Sequence, residues 1–278
     1  RDRLMVMELS SGKTRQITDG SLCFSTYGSF GYSWSPDGKW FTLSCSARNH
    51  YPYDDICIIS SKGGEPLHNL TESGYTDGSP QWVLGGNAIL FTSERYGMRN
   101  HASWGTLNDV MIVFLNRKAY EDFKLTKEQK ELQKEIEKLT EKKSEDKSNE
   151  KKGKKEKVED IVVELEDIEN RIVRLTPSSC NLGSAALSKD GTVLYYQASY
   201  EGGMNLWKYD IKTGVPSKIG AASGRMMWDD KFETLYILGS RFSKMKSTSK
   251  MVEPISVRGD LVMDLAAERE YMFDHVYR

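Results

Sequence analysis

Trp34-Ser35-Pro36-Asp37-Gly38-Lys39 is a tight turn between two runs of strand-forming residues, with Pro fixing φ at one corner and Gly supplying the permissive one. The turn recurs. Trp82-Val83-Leu84-Gly85-Gly86-Asn87 and Leu187-Ser188-Lys189-Asp190-Gly191-Thr192 hold the same place, and each of the three is followed by an alternating strand, at 40–45, 88–92 and 193–198. Further along, Asp55-Ile56, Asn108-Asp109-Val110 and Asn205-Leu206-Trp207 open a next strand. Lys62-Gly63-Gly64-Glu65 and Lys212-Thr213-Gly214-Val215 then turn the chain into a last one. Three segments close on an apolar residue and threonine: Ile17-Thr18, Leu70-Thr71 and Leu175-Thr176, spaced 53 and 105 residues apart.

Each repeat therefore reads as four short strands joined by hairpin turns, a sheet too small to bury both faces alone. Neighbouring repeats must cover it, which is the logic of a β-propeller blade. The expected fold is all-β: blades of four antiparallel strands in a partial ring of about four to five. The end of one blade occupies 1–18, full blades occupy about 24–71, 76–176 and 180–220, and a degenerate one runs from about 224 to 259. In the last, Trp228-Asp229-Asp230-Lys231 stands where the turn belongs.

The doubled interval marks an insertion into the third unit. The expected organisation is blades over 1–115, a charged helical or disordered insertion over 116–158, blades again over 159–260, and a helical segment over 261–278. Within the insertion, Thr126 and Gln129 form a capping box, and Leu132, Ile136 and Leu139 share one narrow helical face. Residues 141–157 are nearly all Lys, Glu, Asp and Ser and offer nothing apolar to offset ordering, so the insertion is expected as a surface excursion. At the other end, Leu265, Met272, Phe273 and Val276 form the apolar side of a helix with no stop signal, which reads as the start of a following domain.

The 278 residues carry 39 basic and 40 acidic side chains, so no global field points to nucleic acid or an anionic membrane. The lysines at 151–157 are interleaved with glutamate and have no aromatic beside them for base stacking. No apolar run approaches the roughly 20 residues that span a bilayer. Cys23, Cys45, Cys57 and Cys180 show no metal-like spacing and read as small buried apolar residues. No cofactor is expected.

Catalytic signatures are missing too: there is no G-x-S-x-G, H-E-x-x-H, G-x-x-x-x-G-K-[ST] or G-x-G-x-x-G. His50 and His101 fall in polar loops, His68 in a closing strand and His275 in the terminal helix, where surface or structural roles are the plain reading. The richest binding groups lie in the loops 46–54 and 93–108. There Arg48, His50, Tyr51, Arg95, Arg99, His101 and Trp104, with Tyr53, are the candidate substrate or partner contacts, or else ordinary blade connections packing on their neighbours. The pair Asp54-Asp55 falls at a strand start, where turn chemistry accounts for it.

These units resemble the propeller repeats of TolB-type proteins, prolyl oligopeptidases and tricorn peptidases, most recognisably at Trp34-Ser35-Pro36-Asp37-Gly38-Lys39 and Phe91-Thr92-Ser93-Glu94-Arg95-Tyr96-Gly97. The tail Ala267-Glu268-Arg269-Glu270-Tyr271-Met272-Phe273, with His275-Val276-Tyr277-Arg278, resembles the junction where tricorn-type peptidases pass from their second propeller toward the catalytic region. The Lys- and Glu-rich insertion resembles those of bacterial tricorn homologues. The resemblance implies a serine peptidase of oligopeptides whose catalytic residues lie outside this segment, with the propeller gating substrate. It implies peptide substrates, other domains of the parent chain and a second copy of the chain as partners. It places the protein in the cytoplasm, with the periplasm as the alternative. Rival readings are a stand-alone TolB-like binding propeller and the propeller cap of a prolyl-oligopeptidase-like hydrolase. Two of the turns depart from the Ser-Pro-Asp-Gly form.

Overall fold

The computed structural model describes residues 3–20, 31–46, 53–98, 106–144, 160–200, 203–259 and 262–277. A two-stranded hairpin, β1 (Met5–Met7) and β2 (Thr14–Gln16), is followed by four four-stranded antiparallel sheets. Blade one holds β3 (Tyr32–Trp34), β4 (Trp40–Cys45), β5 (Asp55–Ser60) and β6 (His68–Asn69). Blade two holds β7 (Asp77–Val83), β8 (Ala88–Ser93), β9 (Asp109–Phe114) and, after the insertion, β10 (Ile172–Arg174). Blade three holds β11 (Asn181–Leu187), β12 (Val193–Ser199), β13 (Asn205–Asp210) and β14 (Val215–Ala221), and blade four holds β15 (Arg225–Trp228), β16 (Thr234–Leu238), β17 (Phe242–Lys246) and β18 (Glu253–Pro254). In every blade the strands pair in chain order, so the repeat read from the sequence is the repeat of the fold.

The turns that delimit the blades are built as their sequences suggest. In blade one Gly38 adopts φ +70°, its N–H donates to the Ser35 carbonyl at 2.9 Å, and the Asp37 carboxylate accepts from the Ser35 hydroxyl at 2.5 Å and the Lys39 N–H at 3.0 Å. Blade three repeats this with Ser188, Asp190 and Gly191. Blade four uses Asp229 in place of the serine, and Phe232 takes the left-handed corner at φ +57°.

The apolar–threonine ending has a purpose that spacing alone does not reveal. The hydroxyl oxygens of Thr18, Thr71 and Thr176 accept the N–H of Leu4, Ile56 and Val110 at 2.9, 3.1 and 3.2 Å, tying the end of the fourth strand to the start of the third. In two blades a buried aspartate completes the tie. Asp55 accepts from Thr71 Oγ1, Ser73 N and Asn69 Nδ2, and Asp109 accepts from Thr176 Oγ1 at 2.6 Å, Ser179 Oγ at 2.7 Å and Arg174 Nε at 2.9 Å. Asp55 therefore locks a blade shut, a larger role than the turn chemistry its sequence position suggests. The equivalence Leu4, Ile56, Val110 also identifies β1 and β2 as the third and fourth strands of a blade.

Successive blades bury one another through alternating side chains. Leu4 and Ile17 pack on Phe41, Leu43, Cys45 and Cys57 of blade one. The opposite face of that blade, Ile56, Ile58 and Leu70, meets Ile89, Phe91, Met111 and Val113 of blade two. The other face of blade two, with Leu90, Ile112 and Phe114, meets Leu187, Leu194 and Tyr196 of blade three. Tyr195 and Leu206 then meet Met226, Leu235 and Ile237 of blade four. Strand β9, sandwiched on both faces, is buried along its whole length, whereas in blade four Met227, Leu238 and Phe242 face solvent. Both patterns follow from period-two strands stacked in a row.

The insertion is less detached than its composition implies. Helix α1 (Arg117–Lys124) is capped by Asn116, whose Oδ1 accepts the Ala119 N–H at 2.8 Å. Its Ala119, Tyr120 and Phe123 join the core between blades two and three. From blade three, Lys212 Nζ donates to the carbonyls of Phe123 and Leu125. Helix α2 (Lys127–Ser144) starts at the reciprocal Thr126–Gln129 capping box. The returning segment docks as well: Ile161 N donates to Asp37 of blade one at 3.0 Å, and buried Arg171 donates to the carbonyls of Phe114, Glu164 and Glu166. The start of the insertion and the segment that follows it are thus packed on the blades, because a few apolar side chains among many charges suffice once two blades present a surface to them. Helix α3 (Leu265–Tyr277) is capped by Asp264 and exposed along its described length.

Candidate functional site

The first strand of each blade pairs on one side only: β3 with β4, β7 with β8, β11 with β12, β15 with β16. These four strands converge on a cleft of about 910 Å³. Its walls are aromatic and sulfur-bearing, with Tyr32, Trp34, Trp82, Met226, Trp228 and Phe232 among them, and Arg225 is the one charged side chain among its described lining residues.

Cross-blade hydrogen bonds hold the walls in place. The indole N–H groups of Trp82 and Trp228 donate to the carbonyls of Ser33 and Leu187 on the preceding blade, at 3.2 and 2.8 Å. Gln81 Nε2 donates to the Ala185 carbonyl at 3.4 Å, and Met226 N to Ser184 Oγ at 3.0 Å. Gln197, buried beside the cleft, accepts from Gly224 N at 3.1 Å. Two of the strands bulge toward the opening. Strand β7 shifts register between Gly78 and Gln81, with Ser79 at φ +54° and Pro80 contributing no N–H, and β11 shifts between Leu182 and Ala185. The result is a cleft of aromatic, sulfur-bearing and polar groups edged by strand backbone.

Of the contacts expected from the sequence, Arg48, His50, Tyr51, Arg99, His101 and Trp104 lie outside the described residues. Arg95 does not face the cleft; its Nη2 sits 3.5 Å from the buried carboxylate of Asp77 at the start of β7. Tyr53 is half-buried beside β5. His68 packs near the Trp40 ring, and His275 stacks on Tyr271 within α3. Cys45, Cys57 and Cys180 are buried, and Cys23 lies outside the described residues. Among the described residues no three His, Cys, Asp or Glu side chains gather as a metal site, and no helix is long and apolar enough to cross a membrane. The cleft residues themselves were visible in the sequence only as turn markers, for Trp34, Trp82 and Trp228 each stand near the end of a first strand.

Burial raises the Asp77 carboxyl above the ordinary carboxylate range, and the Ser93 and Thr71 hydroxyls and Arg95 pull it down without offsetting that effect. A raised folded-state value means the folded state holds its proton more tightly than the unfolded chain, so Asp77 opposes folding once ionised. This penalty is relieved as pH falls through the raised value toward the unfolded one of about 3.9. Wild-type stability relative to Asp77→Asn is therefore expected to rise as pH is lowered from neutral toward the unfolded value of about 3.9 in paired urea titrations. A gap that stays constant or widens in favour of the Asn variant would show that Asp77 is adequately paired.

Comparison with solved structures places this geometry. The tricorn protease crystal structure superposes over 99% of this chain and 26% of its own, with a TM-score of 0.66 at 12% identity. The chain has a β-propeller fold. TolB from Acinetobacter baumannii matches 92% of the chain and 49% of its own length, with a TM-score of 0.52 at 16% identity. A puromycin-hydrolyzing peptidase of Mycobacterium tuberculosis matches 91% of the chain and 32% of its own, with a TM-score of 0.50 at 12% identity. The chain thus spans about a quarter of the tricorn chain and half of TolB, and at these identities the likeness is one of fold. No protein-family model and no curated protein matches the sequence.

Proposed function

We propose that this chain is a non-catalytic propeller segment of a tricorn-like serine peptidase, and that its axial cleft guides extended oligopeptides toward an active site elsewhere in the parent protein. The observation that carries the reading is the convergence of four one-sided strands on a cleft walled by aromatic rings and methionines. Such a surface suits unfolded peptide, whose backbone can pair with strand edges while its side chains meet rings and methionines. Likeness to the tricorn propeller over nearly the whole chain supports the parent assignment. The exposed apolar residues of α3, among them Met272, Phe273 and Val276, support contact with a further polypeptide surface. A cytoplasmic setting accompanies the tricorn reading, and a periplasmic one the TolB reading.

The test is fluorescence anisotropy of labelled, unstructured oligopeptides with the isolated chain. Trp34 leans on Phe41, ring centroids 4.0 Å apart, and keeps 45% of its surface exposed at the cleft. Trp34→Ala is expected to weaken peptide binding about tenfold, equivalent to about 1.4 kcal/mol, while circular dichroism stays unchanged. Absence of peptide binding, or affinity indifferent to Trp34, would favour a folded-protein partner as in the stand-alone binding reading.

A further inference from the structure

Cys45 ends β4 and Cys57 lies in β5. In the antiparallel register Cys45 faces Asp55 and Cys57 faces Leu43, so the two cysteines are diagonal neighbours on one face of blade one. That face is turned toward Leu4 and Ile17 of the first hairpin, and both side chains are fully buried there. Their sulfur atoms are 3.1 Å apart, with the Cys45 thiol donating to Cys57 Sγ. A disulfide has its sulfurs about 2.05 Å apart, so closure requires an approach of only about 1 Å between strands already held in register. We propose that Cys45 and Cys57 are a disulfide-forming pair, open in a reducing compartment and closed in an oxidising one. Sequence spacing gave no hint of this, since eleven other residues separate them and only the pairing of β4 with β5 joins them.

The chemistry is thiol–disulfide exchange with a small-molecule disulfide such as oxidised glutathione. One cysteine thiolate attacks the donor disulfide, forming a mixed disulfide and releasing one glutathione thiolate. The second cysteine thiolate then attacks the protein sulfur of the mixed disulfide, releasing the second glutathione. Two electrons pass from the cysteines to the donor, and the two protons leave on the released thiols. The Cys45 hydrogen bond and burial both raise the Cys57 thiol well above its ordinary value. Thiolate is therefore scarce in the finished fold, and closure proceeds while the chain is folding or locally open. Once made, the bond staples β4 to β5 at the mouth of the connection 46–54, whose Arg48, His50 and Tyr51 are sequence-level binding candidates. The redox state of the pair then reports the compartment directly.

The experiment refolds the reduced wild-type chain from urea in a buffer of oxidised and reduced glutathione, alkylates the remaining thiols, and maps the unreduced peptides by mass spectrometry. The expected product is a peptide pair joined through Cys45 and Cys57, with Cys23 and Cys180 alkylated and a melting temperature several degrees above that of the reduced protein. Cys180→Ala should give the same cross-link. Recovery of Cys45 and Cys57 both alkylated, each capped by glutathione, or joined to Cys23 or Cys180 would overturn the proposal.

Discussion

Asp109→Ala is expected to lower stability by about 3–5 kcal/mol, seen as a fall in melting temperature of roughly 10 °C. The carboxylate is wholly buried at the start of β9 and gathers donors from three residues beyond or within β10: Thr176, Ser179 and Arg174. Truncation leaves two hydroxyls and a guanidinium without their acceptor. It also frees Thr176, which holds the Val110 N–H. Arg174 is one-third exposed and can turn to water, so most of the effect is assigned to the buried Thr176 hydroxyl and the half-buried Ser179 hydroxyl. Hydrogen exchange should localise the Asp109→Ala damage to the β9–β10 pair, because a blade contacts only its neighbours and can loosen before the array unfolds. A loss below about 1 kcal/mol, or one spread evenly over the blades, would show that the strand tie is incidental to the fold.

Phe114→Ala is the second large effect, about 3–5 kcal/mol by urea denaturation. Phe114 is fully buried at the end of β9, where its ring meets Phe123 at 4.9 Å and Tyr120 at 5.6 Å, both on α1. The cavity would open at the seam of blade two, blade three and the insertion, so limited proteolysis should cut within α1 sooner than in the wild type. Phe114→Leu, which keeps most of the volume, should cost about 1–2 kcal/mol. If Phe114→Ala destabilised the blades but left α1 as protected as before, the helix would be anchored by Asn116 and Lys212 rather than by its apolar face.

The blades were legible because a propeller repeats its turn chemistry. A serine or aspartate that accepts the N–H groups of the turn, and a residue tolerating positive φ, recur at Ser35 and Gly38, Ser188 and Gly191, and Asp229 and Phe232. Such local rules survive in sequence. Helix α1 was not legible, because Ala119, Tyr120 and Phe123 stand among charged residues and their partners, Phe114 and Lys212, lie in other elements. The cleft was hidden for a related reason. Trp34 and Trp82 read as turn flanks, and only the pairing of each first strand on a single side turns them toward an axis. Asp55 read as a turn residue and Asp109 as part of a strand opening, because their acceptor work spans 14 to 70 positions of sequence.

The proposed function makes the first strands of the blades the walls that meet extended peptide. The most direct measurement is photo-cross-linking of an unstructured oligopeptide carrying a photoreactive residue, with the attachment points mapped by mass spectrometry. Cross-links should fall on the first strands of the blades, at Tyr32–Trp34 and Arg225–Trp228 above all, and should be competed by unlabelled peptide. Cross-links confined to the outer strands or to α3, with none on the four inner strands, would contradict it.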